Sequence, residues 1–310
     1  MSARWPSLPT GRTLVMGILN VTPDSFSDGG EHLDPEAAVA HGLALVRDGA
    51  DLVDVGGEST RPGAEPVDPA QERRRILPVV RRLTERGVVV SVDTLHPDTA
   101  EAALQAGAGI VNDVSGARLG EEMIELIART GAPYILTHTR GDSATMDSLA
   151  RYADPVAEVR AELLGLRQRL LDGGVDPAQI VLDPGLGFAK GGDQDWRLLA
   201  GLDALTGLGH PVLVAASRKR FLGSTLAAAR AEHRPGAQLP DGAATPDESG
   251  APGGSGSAQP QTPGPVERDV ATAAVSVLAA RAGAWAVRVH DVRATADALA
   301  VQRAWSRAGG

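Results

Sequence analysis

Eight short apolar runs punctuate the chain: Thr13 to Leu19, Leu52 to Gly56, Val88 to Asp93, Gly109 to Asn112, Pro133 to His138, Ile180 to Asp183, Pro211 to Ala216 and Trp285 to His290. Runs this short and this continuously apolar suit strands buried on both faces, the condition of a parallel sheet covered by helices. Helix-like segments lie between them. Asp34-Pro35 and Asp68-Pro69 each place an N-cap acid before an N1 proline, and Gly49 and Gly87 close the segments that follow. Further helices are expected over Pro97 to Ala106, Glu121 to Thr130, Asp154 to Asp172, Asp195 to Leu205, Arg268 to Arg281 and Ala294 to Trp305. Eight strands alternating with helices predict an α/β chain closed into a single (β/α)8 TIM barrel over residues 13–307, with residues 1–12 as an N-terminal tail.

The strands end alike. Asn20, Glu58 after Gly56-Gly57, Asp93, Asn112-Asp113, His138, Asp183, Ser217 with Arg218-Lys219, and Arg288 with His290 put polar groups at the C-terminal ends. In a barrel those ends surround one axial opening, where barrel enzymes assemble their sites. Strand parity adds that Arg288 and His290 share a face, as do Ile18 and Asn20, or Val181 and Asp183.

One segment departs from this order. Residues 234–265 are about half glycine and proline, the rest mostly Ala, Ser, Gln, Thr and Asp. Such a stretch buries too little apolar area to offset its ordering entropy, so a disordered insertion after strand seven is expected. It falls on the catalytic rim, which leaves both a lid and an inert surface loop open, composition favouring the loop.

A formal net charge of -9 disfavours nucleic acid and anionic membranes as partners, so any anionic substrate must be held by local cations. The chain contains no cysteine, which removes disulfides, thiolate nucleophiles and Cys-ligated metals. MSARWPSLPTGR lacks the apolar core of a signal peptide, and no run of ~18 apolar residues exists for a membrane span, so a cytoplasmic location is expected.

GILNVTPDSFSDGG at 17–30 and DVGGESTRPGA at 54–64 resemble the two signature regions of the dihydropteroate synthases. The resemblance continues in SVDT at 91–94, NDVSG at 112–116, DPGLGFAK at 183–190, SRKRF at 217–221 and VRVHDV at 287–292. It implies a transferase of folate biosynthesis, a sulfonamide target, that joins 6-hydroxymethyl-7,8-dihydropterin diphosphate to p-aminobenzoate, with Mg2+ as cofactor and a homodimer as the assembly.

The chemistry of these blocks agrees with that implication. A pterin edge offers an amino group, ring N–H groups and a carbonyl, so it calls for carboxylates, an amide and one cation; Asp93, Asn112, Asp183 and Lys219 are that set. Taken singly, Asp93 or Asp183 also reads as a helix N-cap. The diphosphate calls for cations, for which Arg61, Arg288 and His290 are candidates, although a lone barrel-end histidine is often structural. The resemblance makes Asn20 the residue that helps hold Mg2+ with the diphosphate, while closing a turn is its other reading. It makes Asp28 the carboxylate that stabilises a pterin methylene cation, with Asp24 the second candidate. Phe26, Thr60, Pro62 and Phe188 are expected to shape the arylamine slot, and Ser217, with the amides opening the helix at Arg218, to receive its carboxylate.

One departure stands out. The sequence reads YILTHTRG after strand five, where the family commonly carries methionine, so Thr137 or Thr139 predicts a smaller, more polar wall. Two rivals share much of this pattern. A pterin-binding methyltransferase domain needs no diphosphate site, and a non-catalytic paralogue would keep the fold alone.

Overall fold

The computed structural model describes residues 3–22, 34–58, 67–142, 145–232 and 262–309. The strands are β1 (Leu14–Asn20), β2 (Leu52–Gly56), β3 (Val90–Asp93), β4 (Ile110–Asp113), β5 (Tyr134–Thr137), β6 (Ile180–Asp183), β7 (Leu213–Val214) and β8 (Ala286–Val289). All pair in parallel in the order β6-β5-β4-β3-β2-β1-β8-β7, and a parallel bridge from Leu182 to Val212 joins the two edges. The expected barrel therefore forms. β7 is shorter than the run Pro211 to Ala216 suggested, because only Leu213 and Val214 pair with β8 and the strand side facing β6 is reduced to that bridge.

Alternation along the strands separates two apolar cores. Leu14, Met16, Leu52, Ile110, Ile135, Val181, Leu213 and Ala286 fill the barrel interior, and every one is fully buried. Val15, Leu19, Val53, Val55, Val92, Val111 and Leu182 point outward into the layer shared with the helices. Burying both faces accounts for the unbroken apolar runs in the sequence.

The helices are α1 (Pro35–Arg47), α2 (Pro69–Thr84), α3 (Pro97–Gln105), α4 (Glu121–Thr130), α5 (Pro155–Asp172), α6 (Asp193–Ala200), α7 (Asp203–Thr206), α8 (Arg220–Glu232), α9 (Asp269–Arg281) and α10 (Val292–Arg307). Asp34, Asp68 and Asp154 cap α1, α2 and α5 by accepting first-turn amides, each before an N1 proline. The single helix expected over Asp195 to Leu205 is two, because the chain breaks at Gly201, where a Cβ would meet Val156 at 2.9 Å. The helix expected to open at Arg218 opens at Arg220, since Arg218 sits at φ +59°. Most of the 234–265 insertion lies outside the described residues; the described part, 262–265, leads into a 3-10 turn, Val266–Arg268.

The stretch expected as a tail is packed. Trp5 meets Trp285 edge to face at 5.6 Å and donates its indole N–H to the Ala178 carbonyl at 2.9 Å, while Arg4 N donates to the Gly131 carbonyl. Trp5 and Leu8 thereby cover the interior apolar layer at the N-terminal mouth, leaving the opposite mouth for polar groups. Among the described residues no helix is long and apolar enough to cross a membrane.

Candidate functional site

Above the apolar layer the interior changes character. Ile18 is paired with Asp54, Asp54 with Ser91, Gly56 with Asp93, and Asp93 with Asn112, so successive strands bring their inward positions into one polar tier. Arg288, from β8, crosses that tier: Nε donates to Asp54 at 2.6 Å and a terminal nitrogen donates to Asp93 at 2.6 Å. Asn112 donates its side-chain amide to Asp54 at 3.0 Å. Asp54 is fully buried and Asp93 only 7% exposed. One guanidinium is thus shared by two desolvated carboxylates.

The arrangement is electrostatically tense. Burial pushes the Asp93 carboxyl up to about 7, against the pull of Arg288, with Asp54, Glu72 and Asp113 adding like-charge repulsion. Burial also raises Asp183, opposed by Lys219 and by the Gly185 amide, which donates to Asp183 Oδ1 at 2.7 Å. Lys219 is lowered by its own burial to about 8, against the attraction of Asp183 and Asp195. Buried Asp54 Oδ1, Ser91 Oγ, Asn112 Oδ1 and Thr137 Oγ1 make no hydrogen bond among the described residues. Unpaired polar atoms in such a tier are what a polar ring with several donors and acceptors would satisfy.

A cavity of about 820 Å3 opens over this floor, and Asn20, Phe188, Ser217, Lys219, Arg288 and His290 line it. The Lys219 ammonium stands 4.3 Å from the centre of the Phe188 ring and donates to the Leu186 carbonyl. Ser217 Oγ accepts the His290 backbone N–H at 3.1 Å and shares a 2.9 Å hydrogen bond with its Nδ1, fixing the ring at the rim. Arg218 also borders the cavity, its guanidinium held in a two-pronged pair with Asp269 at 2.7 and 2.8 Å. A flat polar base, flanking cations and an aromatic wall fit a heterocycle carrying an anionic substituent.

The structure therefore gathers Asn20, Phe188, Ser217, Lys219, Arg288 and His290 around one cavity, with Asp93, Asn112 and Asp183 in the buried tier that Arg288 and Lys219 border. Asp24, Phe26, Asp28, Thr60, Arg61 and Pro62 lie outside the described residues. Asp93 does not cap a helix, for α3 is preceded by His96 without a side-chain cap. Asp183 does serve the local turn, accepting the Gly185 amide, while its side chain remains in the site. Thr137 and Thr139 are buried, and both hydroxyls are without a hydrogen-bond partner among the described residues. The position of His138 at the end of β5 suggests the rim, but strand alternation turns it outward, where it meets Glu162 on α5 at 2.9 Å.

Asp54 was missed. The strand termini carry the polar signal in the sequence, whereas Asp54 sits two residues before the end of β2, in phase with Gly56. A carboxylate within a strand buried on both faces is itself the signal, because it demands a cation.

Residues 16–290 match the family described as pterin binding enzyme. The chain is 51% identical over 296 residues to the dihydropteroate synthase of Mycobacterium leprae, covering 95% of this chain and 94% of that protein. A Xanthomonas albilineans dihydropteroate synthase solved with 7,8-dihydropteroate is 38% identical with a TM-score of 0.76, covering 96% and 95% of the two chains. A Yersinia pestis dihydropteroate synthase solved with a sulfonamide drug is 33% identical with a TM-score of 0.82, covering 99% of each chain.

Replacing Arg288 by Met strands two buried carboxylates, and a loss of about 3 kcal/mol in folding stability at pH 8 is expected from breaking such a pair. The Asp93 carboxyl takes up a proton as pH falls through about 7 even with Arg288 present, so the penalty should shrink at pH 6. Urea denaturation of both proteins at the two pH values checks this; an equal penalty at both would count against the shared-cation floor.

Proposed function

The chain belongs to the dihydropteroate synthases and condenses 6-hydroxymethyl-7,8-dihydropterin diphosphate with p-aminobenzoate to 7,8-dihydropteroate and diphosphate, and we propose that the polar tier and its rim divide this work between them. The observation that carries the proposal is the Asp54–Arg288–Asp93 floor with Asn112, Asp183 and Lys219 at its margin. Ionised Asp93 and Asp183 would accept the pterin amino and ring N–H groups, and Lys219 would donate to the ring carbonyl or nitrogen. Such a ring has donors and acceptors enough for the polar atoms left unpaired there.

On this reading the bond between the pterin methylene and the bridging diphosphate oxygen breaks first, and its electron pair leaves with the diphosphate. Ring nitrogens delocalise the resulting cation, with Asp28, or else Asp24, as the stabilising carboxylate. The arylamine lone pair then forms the C–N bond and the amine loses a proton. No base is required beforehand, because an arylamine is neutral at pH 7. His290, Arg288 and Arg61 would hold the departing diphosphate, and Phe188, Ser217 and the α8 amides the arylamine, beside Phe26, Thr60 and Pro62.

Mg2+ belongs to the same proposal. Asn20 lines the cavity, and no cluster of three His, Asp or Glu side chains able to hold a metal exists among the described residues. One amide oxygen fits an ion that keeps waters and takes its remaining ligands from a phosphorylated substrate. When bound there, the ion would neutralise charge on the leaving diphosphate.

An assembly is proposed from the outer helical surface. Val266, Val270 and Leu278 form an exposed stripe along α9 and the turn before it, and Val301 and Trp305 are exposed on neighbouring α10. An apolar face of this kind on the helical exterior of the barrel suits a homodimer. A cytoplasmic location accords with the cysteine-free composition.

Three outcomes test these readings. Purified protein given dihydropterin diphosphate, p-aminobenzoate and Mg2+ should form dihydropteroate with an equal amount of diphosphate, and diphosphate release without any dihydropteroate when both substrates are present would contradict the condensation. Binding of the dihydropterin diphosphate, measured by calorimetry, should be strongest between about pH 7 and 8. Below that range Asp93 protonates and affinity should approach a tenfold loss per pH unit, while above it Lys219 loses its charge; a flat profile would remove both groups from the pocket. Val270→Asp should halve the mass seen by sedimentation at micromolar protein, whereas an unchanged mass would place the interface elsewhere.

A further inference from the structure

A second charged cluster lies beside the cavity, which its Lys190 also borders, and is untouched by the mechanism above. Lys190, 3% exposed, follows Phe188 by two residues in the β6–α6 connection. Its ammonium donates to the carbonyls of Gly185 and Phe188 and meets His138 Nδ1, all at 2.9 Å. In the protonated form three N–H bonds meet three acceptors and close the segment 185–190 into a ring around its own lysine, an ammonium whose pKa burial lowers to about 7. Burial, aided by the Lys190 charge, pushes His138 down to about 4, so near neutral pH the imidazole is uncharged. Its Nε2 then carries the proton given to Glu162 at 2.9 Å, and Nδ1 keeps the lone pair that Lys190 needs. Arg140 in turn binds Glu162 with its Nε at 3.0 and 3.1 Å and Glu158 at 2.9 Å, anchoring the chain of contacts to α5.

The ring is under geometric constraint. Gly185 and Gly187 lie at φ +65° and +74°, and Ala189, which has a Cβ, at +48°. A Cβ on Gly185 would stand 1.8 Å from the His138 carbonyl oxygen, so the segment is pressed against β5. Asp195 takes the Gly187 amide at 2.7 Å and Lys219 holds the Leu186 carbonyl. Neither of those bonds secures the Phe188 carbonyl; among the described residues Lys190 is the side chain that does.

We propose that Lys190 is a positioning residue for the arylamine, fixing the Phe188 ring in its slot through the Lys190–His138–Glu162 brace without touching either substrate. The inference rests on the reading of Phe188 as part of the arylamine slot. Loosening the ring lets Phe188 move and weakens the second substrate, whereas the pterin acceptors, borne on β2, β3, β4 and the end of β6, keep their strand positions.

Lys190→Met is the test, with steady-state kinetics in Mg2+ and calorimetry of dihydropterin diphosphate. The p-aminobenzoate KM should rise at least about tenfold while kcat stays within about threefold and pterin affinity within about twofold, since a displacement near 1 Å at a positioning group costs on that order or more. His138→Leu, which removes one acceptor of three and leaves Glu162 paired with Arg140, should raise the same KM by a smaller factor and serves if Lys190→Met does not fold. An unchanged arylamine KM in a folded variant, or a parallel fall in pterin affinity, overturns the proposal. Phe188→Ala separates the two layers: a raised KM there with no change in Lys190→Met sinks the brace alone, and no change in Phe188→Ala sinks the slot assignment beneath it.

Discussion

Burying carboxylates without enough cations is the constraint on which this structure turns. Asp54 and Asp93 share Arg288, and Asp183 is balanced chiefly by Lys219. Each acid is desolvated, so its charge demands a partner, and each cation is held where it cannot be replaced by water. The apolar tier of Leu14, Met16, Leu52, Ile110, Ile135, Val181, Leu213 and Ala286 directly beneath supplies the low dielectric that makes these charges matter. A floor built this way is poised near neutrality, with Asp93 at about 7 and Lys219 at about 8, and a ligand rich in N–H groups relieves what folding leaves unbalanced.

Much of the fold was legible because the barrel imposes a strict local grammar. Double-sided burial writes itself as short apolar runs, and Asp-Pro at helix starts writes itself as capping, as Asp34, Asp68 and Asp154 bear out. The polar residues at strand ends were equally readable, since the rim of a closed sheet has only one place to put them. What escaped was anything decided by side-chain direction or long-range pairing. Asp54 lay hidden inside a strand, His138 faced away from the mouth its position suggested, and the Lys190–His138 contact joins residues 52 apart in sequence. The break at Gly201 and the late start of α8 were set by a neighbouring Val156 and by a left-handed Arg218, neither of which composition encodes. Trp5 likewise looked like part of a tail, because its partner Trp285 lies at the far end of the chain.

The two substrates make different demands, and on the reading proposed above the architecture meets them with different materials. A pterin ring needs several fixed acceptors in a dry floor, and strand-borne side chains locked by mutual charge supply them; moving one disturbs the ion pairs of the others. An arylamine carboxylate needs a slot at the surface, built where loops converge. Loops are the least constrained parts of a barrel, so a loop-borne wall holds its place only if something fixes its backbone. The segment carrying Phe188 is fixed three times over, through Asp195, Lys219 and Lys190. Lys219 belongs to both systems, bordering Asp183 on one side and the Phe188 ring on the other. The cation that would contact the pterin therefore also braces the wall that would contact its partner, so the two substrate sites are joined through a single ammonium group.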